Sequence, residues 1–123
     1  MHQINELQEK INNSIFESKI GREPITLYEP INYTLSLGGK RIRPVLVLMS
    51  CNLFSEDIDQ AIDAAIGLEI FHNFTLLHDD IMDKADVRRG MPTVHKKWNE
   101  NTAILSGDAM FIKAYDFFLK CKS

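Results

Sequence analysis

An all-α fold, an antiparallel bundle of helices, is what this sequence predicts, and three observations predict it. Apolar residues recur at helical spacing in almost every segment, glycine and proline fall between those segments, and no convincing pair of strands stands out. The first segment shows the pattern clearly: Ile4, Leu7, Ile11 and Ile15 lie on one face with polar residues between them, and Gly21 and Pro24 stop the helix. A second helix is expected from Leu27 to Leu37, with Pro30 in its first turn, where a missing N–H does no harm. Gly38 and Gly39 then break it.

Pro44 is expected to open a third helix, Val45 to about Phe54. Its run VLVLM would also suit a short buried strand, but every neighbouring segment has helical period. Ser55 is placed to cap a long helix in which Ile58, Ile62, Ala65, Leu68, Phe71 and Leu76 keep the spacing up to the aspartates. Such a helix would extend about 40 Å. The stretch from Asp86 to about Trp98 reads as a loop with a short helix, and Thr102 to Lys120 as a final helix. The small residues Ala103, Gly107 and Ala114 of that helix permit close approach of a neighbour.

Composition narrows the function. The chain has 123 residues, 45% of them hydrophobic and 25% charged, which suits one soluble domain or part of one. The net charge of -3 gives no general attraction to nucleic acid or to an anionic membrane. No segment approaches the apolar length of a membrane span. Two distant cysteines, Cys51 and Cys121, and a polar N-terminus lead to the expectation of a cytoplasmic protein with free thiols.

The chemistry is concentrated in DDIMD. At 3.6 residues per turn Asp83 lies about 40° from Asp79 and Asp86 about 20° from it on the other side, so three carboxylates share a stripe that Asp80 flanks. Such a cluster repels itself unless cations compensate, and Mg2+ is a suitable one: it prefers oxygen ligands and is held by one or two carboxylates together with substrate phosphates. A solvated acidic face would look similar. The apolar run Phe74 to Leu77 leads directly into the motif and places the acids at the edge of a buried surface, where unpartnered charge is costly. His72 lies on almost the same stripe, about 10 Å along it. It is either a core histidine or a donor to an anion beside the metal.

Two basic clusters accompany the acids. In GGKRIRP the glycines let the backbone approach an anion, and Lys40, Arg41 and Arg43 supply charge ahead of a helix N-terminus. Arg88 and Arg89 follow five and six residues after Asp83. A surface turn and simple charge balance are the plain alternatives. Taken together, an acidic stripe and two basic clusters around one apolar helix suit two polyanionic groups with apolar tails.

GGKRIRP, LLHDDIMDKADVRRG and LSGDAMF, in this order, resemble the N-terminal motifs of trans-isoprenyl diphosphate synthases, the polyprenyl synthetases. The likeness runs from about Leu35 to Phe118. It implies a helical bundle of the isoprenoid synthase type, with residues 1–123 forming the N-terminal part of a single domain whose C-terminal part is absent. It also implies roles. Lys40 and Arg43 would bind the diphosphate of isopentenyl diphosphate, helped by His72 and Arg89. Asp79 and Asp83 would hold Mg2+ on an allylic diphosphate, with Asp80 in the same catalytic cluster, and Arg88 would touch that diphosphate directly. The reaction implied is ionisation of the allylic C–O bond, attack by the alkene of isopentenyl diphosphate and loss of a proton, in a homo-oligomer. Phe74 and Thr75 occupy positions that in the family help to set product length, and a large aromatic at 74 points to a product around farnesyl or geranylgeranyl size. The family's second aspartate-rich motif does not occur in this sequence, so little or no synthase activity is expected from these residues alone. Two other readings stay open: a non-catalytic helical partner of a synthase, and a terpene cyclase, which shares DDxxD but needs no second diphosphate site.

Overall fold

Helices account for most of residues 3–18 and 24–121, the residues that the computed structural model describes. Helix α1 runs Ile4–Ser18 and buries Leu7, Ile11 and Ile15, the face predicted for it. Its expected stop at Gly21 lies outside the described residues. Pro24, extended at φ -74 and ψ 143, is the cap of the next helix rather than the end of the first. Helix α2, Ile25–Ser36, therefore starts earlier than expected, and Pro30 lies inside it, not in its first turn. The N–H that Pro30 lacks would have met the carbonyl of Thr26, an exposed residue where water can serve, while the proline ring packs into the core. Gly38 and Gly39, at φ 80 and 119, end the helix as expected.

Helix α3, Ile42–Asn52, begins ahead of Pro44. Pro44 is its third residue, still among the first four whose N–H groups have no partner within a helix. Ser55 does not cap the next helix. Its Oγ accepts from the Asp57 N–H at 3.1 Å, and a tight 3-10 turn, Ile58–Ala61, intervenes. Helix α4 is then Ile62–Met82, about 32 Å long rather than 40.

The end of α4 shapes everything after it. The Ala85 N–H bonds the Asp80 carbonyl at 2.9 Å and the Lys84 N–H bonds that of Ile81 at 3.2 Å, with Lys84 left-handed at φ 55. This is the Schellman arrangement, here without the usual glycine. The chain reverses at once, so Asp86 leaves the helix and its carboxylate instead pairs with Lys96 at 3.2 Å. The three-carboxylate stripe is corrected accordingly to two. A second correction follows: the stretch after Asp86 holds a small antiparallel ladder, β1 (Val87–Arg88) and β2 (Met91–Pro92), which was not expected. Arg89 and Gly90, both at positive φ, form its two-residue turn. Helix α5, Val94–Lys97, is the short helix of this stretch. Helix α6, Glu100–Leu119, starts ahead of Thr102 because the Asn99 side chain caps it, accepting from the Thr102 N–H at 2.7 Å.

Helices α4 and α6 share the most extensive contact in the bundle. They run antiparallel: Gly67 of α4 faces Ala114 and Phe118 of α6, while Gly107 of α6 faces His78 of α4. A methyl at Gly107 would overlap the His78 ring, and one at Gly67 would come 2.7 Å from Phe118. The small residues of α6 thus do bring the helices together, with Ala103 and Ala114 fully buried. Leu7, Ile31, Leu48, Ile70 and Met110, one from each of α1, α2, α3, α4 and α6, make the centre of the core. Cys51 and Cys121 are free thiols.

Candidate anion and metal site

One helix, α4, carries the acids and a histidine, and the two basic clusters fold back onto it. Asp79 and Asp80 are neighbours in sequence but point into different surroundings. Asp79 and Asp83 are exposed, one turn apart at the C-terminal end of α4, and neither side chain has an ion pair or hydrogen bond among the described residues. That end of a helix favours cations. Asp80 is buried and is gripped by Arg88 of β1 through two hydrogen bonds, Nε to Oδ2 at 2.7 Å and Nη2 to Oδ1 at 2.8 Å. The carboxylate holds the Arg88 guanidinium above its usual pKa.

The glycine loop meets α4 about two turns earlier. Arg43 Nη1 lies 3.1 Å from His72 Nε2. Burial, followed by the charge of Arg43, pushes the His72 pKa below the usual histidine value. At neutral pH the ring is neutral and Nε2 accepts from the guanidinium. His72 is thus half-buried and bonded to a cation of the site, not enclosed in the core. Arg89, at the tip of the hairpin, lies against Gly39: a Cβ there would be 2.9 Å from Nη2. Burial and the nearby Arg41 lower its pKa from the usual arginine value. Lys40 is exposed, and its backbone carbonyl is tied to α1 by the Gln8 side chain at 2.7 Å. The glycine loop therefore stands beside the hairpin tip, and Arg43, Arg88 and Arg89, from clusters that sequence treated separately, all act on His72.

Three residues of the site region were missed or misplaced by sequence. Arg41 belongs to the basic cluster in sequence, yet its side chain turns inward, is almost fully buried, and pairs with the equally buried Glu69 at 2.9 Å. Glu69 and Asn73 lie on α4 among apolar residues, and only their polarity in an otherwise core-facing register marked them. Asn73 donates to the Glu69 Oε1 at 3.0 Å and offers its Oδ1 to Arg89 at 3.5 Å.

Among the described residues no three histidine, cysteine or carboxylate side chains converge as a metal cage. The donor set of Asp79 and Asp83, two hard oxygen ligands on one turn, suits a hydrated divalent cation that takes further oxygens from a bound phosphate. Phe74, on the flank of the motif, packs against Phe71, Phe111 and His78 with ring centroids 5.6, 5.3 and 4.8 Å away, so an aromatic cluster lies between α4 and α6 next to the acids.

A helical bundle with paired carboxylates at one end of a central helix and basic side chains beside that helix defines an isoprenoid-synthase type of fold. The chain belongs to the polyprenyl synthetase family, whose model matches residues 24–123. It is 43% identical over 100 residues to a geranylgeranyl diphosphate synthase of Methanosarcina mazei, covering 81% of this chain and 31% of that one. It is 50% identical over 91 residues to one of Saccharolobus solfataricus, covering 74% and 27%. Among solved structures, a geranylgeranyl pyrophosphate synthetase of the archaeon Geoglobus acetivorans superposes with a TM-score of 0.93 at 42% identity, over 98% of this chain and 39% of that one. The chain spans about a third of the length of the curated relatives it matches. Among the described residues no helix is long and apolar enough to cross a membrane.

Proposed function

We propose that this chain is the N-terminal portion of a Mg2+-dependent trans-prenyltransferase domain, the portion that binds both diphosphates while an allylic diphosphate is joined to isopentenyl diphosphate. The observation that carries the reading is the division of α4: two exposed carboxylates at its end with no partner among the described residues, and Arg43, His72 and Arg89 about two turns away. Asp79 and Asp83 would hold Mg2+, which would supply positive charge against the charge that develops on the departing group. Arg88 flanks the allylic diphosphate from the hairpin. Lys40, Arg43 and Arg89, with His72 as a hydrogen-bond partner, bind and orient the second diphosphate so that its alkene faces the allylic carbon. Apolar and aromatic side chains of α4 and α6 keep water from that carbon.

The domain's remaining part would supply the second wall of the cavity, and the names of the relatives support a geranylgeranyl-sized product. The 123 residues alone are expected to make little or no product. Leu105, Ile112 and Leu119 stand exposed on α6 and support self-association, which sedimentation velocity would detect.

Calorimetry with Mg2+ and inorganic pyrophosphate tests the site itself. Binding of pyrophosphate that strengthens with Mg2+, and loses that Mg2+ dependence in Asp79→Ala with Asp83→Ala, is the expected result. Unchanged Mg2+ dependence in the double variant would overturn the metal assignment.

A further inference from the structure

Arg41, Glu69 and Asn73 remain after the diphosphate and metal groups are accounted for, and they form one connected polar chain through the core. Arg41 is left-handed at φ 54, an uncommon conformation for a residue with a side chain. Three groups accept from its guanidinium. Nε donates to Asn12 Oδ1 on α1 at 2.9 Å, Nη1 to Glu69 Oε1 at 2.9 Å, and Nη2 to the Leu35 carbonyl at 2.6 Å. Asn73 donates to the same Glu69 Oε1 and to the Glu69 carbonyl, which fixes its amide. With both amide hydrogens committed to Glu69, the Asn73 Oδ1 is turned toward Arg89.

Arg89 needs such a guide. It occupies the first position of a hairpin turn, is left-handed at φ 53, and its long side chain is anchored by no carboxylate among the described residues. A side chain this free would sample many rotamers and give up that freedom on meeting an anion. Two fixed surfaces restrict it. Gly39 lies against one part of the guanidinium, and the Asn73 oxygen lies at Nη1. The glycine loop that provides the first surface is itself fixed by Arg41, and the oxygen that provides the second is fixed by Glu69. Arg41 and Glu69 are the two halves of one buried ion pair.

We propose that Asn73 and Glu69 are positioning residues: with Arg41 they form a buried relay that preorganises Arg89 against Gly39, so that the arginine meets a diphosphate already aimed. The inference rests on the reading of these basic residues as a diphosphate site. The relay touches no substrate. It acts through Arg89 alone and lowers the ordering cost of binding.

A double-mutant cycle tests this, read as inorganic pyrophosphate affinity by calorimetry on the chain, with far-UV circular dichroism of each variant. Asn73→Ser is the informative change. A serine hydroxyl can return to the Glu69 carbonyl four residues back and keep the helix satisfied, but it is too short to reach Arg89. The expected result is a loss of affinity of roughly five- to tenfold, the loss of one aligned hydrogen bond, with helical signal retained. In an Arg89→Ala background the same substitution should change affinity by less than about twofold, because its target is gone. Equal losses in both backgrounds would assign Asn73 a general structural role and overturn the proposal, as would unchanged affinity in Asn73→Ser. A loss that tracks falling helical signal counts against it in the same way. Arg43→Ala separates the two levels. If it weakens pyrophosphate binding while Asn73→Ser does not, only the relay fails; if the unsubstituted chain ignores pyrophosphate, the diphosphate reading fails and the relay with it.

Discussion

Two ion pairs hang from helix α4 eleven residues apart, and they differ in almost every physical respect. Glu69 and Arg41 are each only 3% exposed, and two further N–H groups of the arginine donate to a backbone carbonyl and an asparagine. Asp80 and Arg88 meet at the mouth of the acidic site with the arginine 31% exposed. A charge removed from water must be compensated within the protein, whereas a charge that keeps part of its hydration can exchange partners. The first pair therefore belongs to the architecture of the glycine loop. The second can loosen when an anion competes for Arg88. The comparison teaches that arginines in such a cluster are sorted by burial and not by sequence position: Arg41 and Arg43 are two residues apart, one faces Glu69 and the other His72.

Glu69→Ala should break the comparison most severely. It leaves Arg41 charged and buried without a counter-ion, and the expected destabilisation is about 3–5 kcal/mol, read from chemical denaturation. Replacing both partners with apolar residues, Arg41→Met with Glu69→Leu, should recover part of that loss, since no unpaired charge then remains. A cost for Glu69→Ala below about 1 kcal/mol, in the range of an exposed pair, would show that water reaches the pair and that the contrast drawn here is wrong.

Asp80→Asn probes the outer pair and should cost less, about 1 kcal/mol, because Arg88 can turn to solvent and the amide keeps one acceptor. Salt sharpens the contrast. Raising the ionic strength should shrink the cost of Asp80→Asn and leave that of Glu69→Ala nearly unchanged, since screening acts on charges that water reaches. Equal salt sensitivity of the two variants would contradict the assignment of one pair to the core and the other to the site.

How much of this was legible in the sequence depends on whether a local or a tertiary cause decided the outcome. Helical periodicity is local, and it located α1, α2, α3, α4 and α6. Their starts were less legible because Pro24 and Asn99 act as caps, a choice that depends on one residue's backbone. The division of the long segment into a 3-10 turn and α4 left no periodic trace, since Ile58 stays apolar and buried in either case. The acidic stripe failed at Asp86 because Lys84 adopts a left-handed conformation that glycine usually takes, so no glycine announced the end of α4. Arg89 does the same in the hairpin, where Arg-Gly stands in place of the more familiar Asn-Gly turn. The approach of the two basic clusters to α4 was anticipated from charge and spacing, and the contacts of Arg43 with His72 and of Arg88 with Asp80 show it. The inward turn of Arg41 was not anticipated, because nothing in GGKRIRP distinguishes the arginine that finds Glu69 from the one that finds His72.

The smallest expected effect concerns His72, and it belongs to the outer, exchangeable part of the site. Burial and the cations Arg43, Arg89 and Arg88 lower its pKa in the fold, while Glu69 opposes them. The unfolded chain therefore binds the proton more readily than the folded one. Stability from this residue is fully present above the unfolded value near 6.5, and it declines as pH falls through the lower folded value. The carboxylates of the chain add their own acid sensitivity, so the useful quantity is a difference. Denaturation free energies of the chain and of His72→Gln, measured from pH 7.5 to 5, should diverge, with the unsubstituted chain losing more on the acid side. Glutamine keeps an acceptor for Arg43 but cannot take up the proton. Parallel curves would mean that His72 titrates alike in both states, and that its contact with Arg43 is too weak to hold the ring neutral.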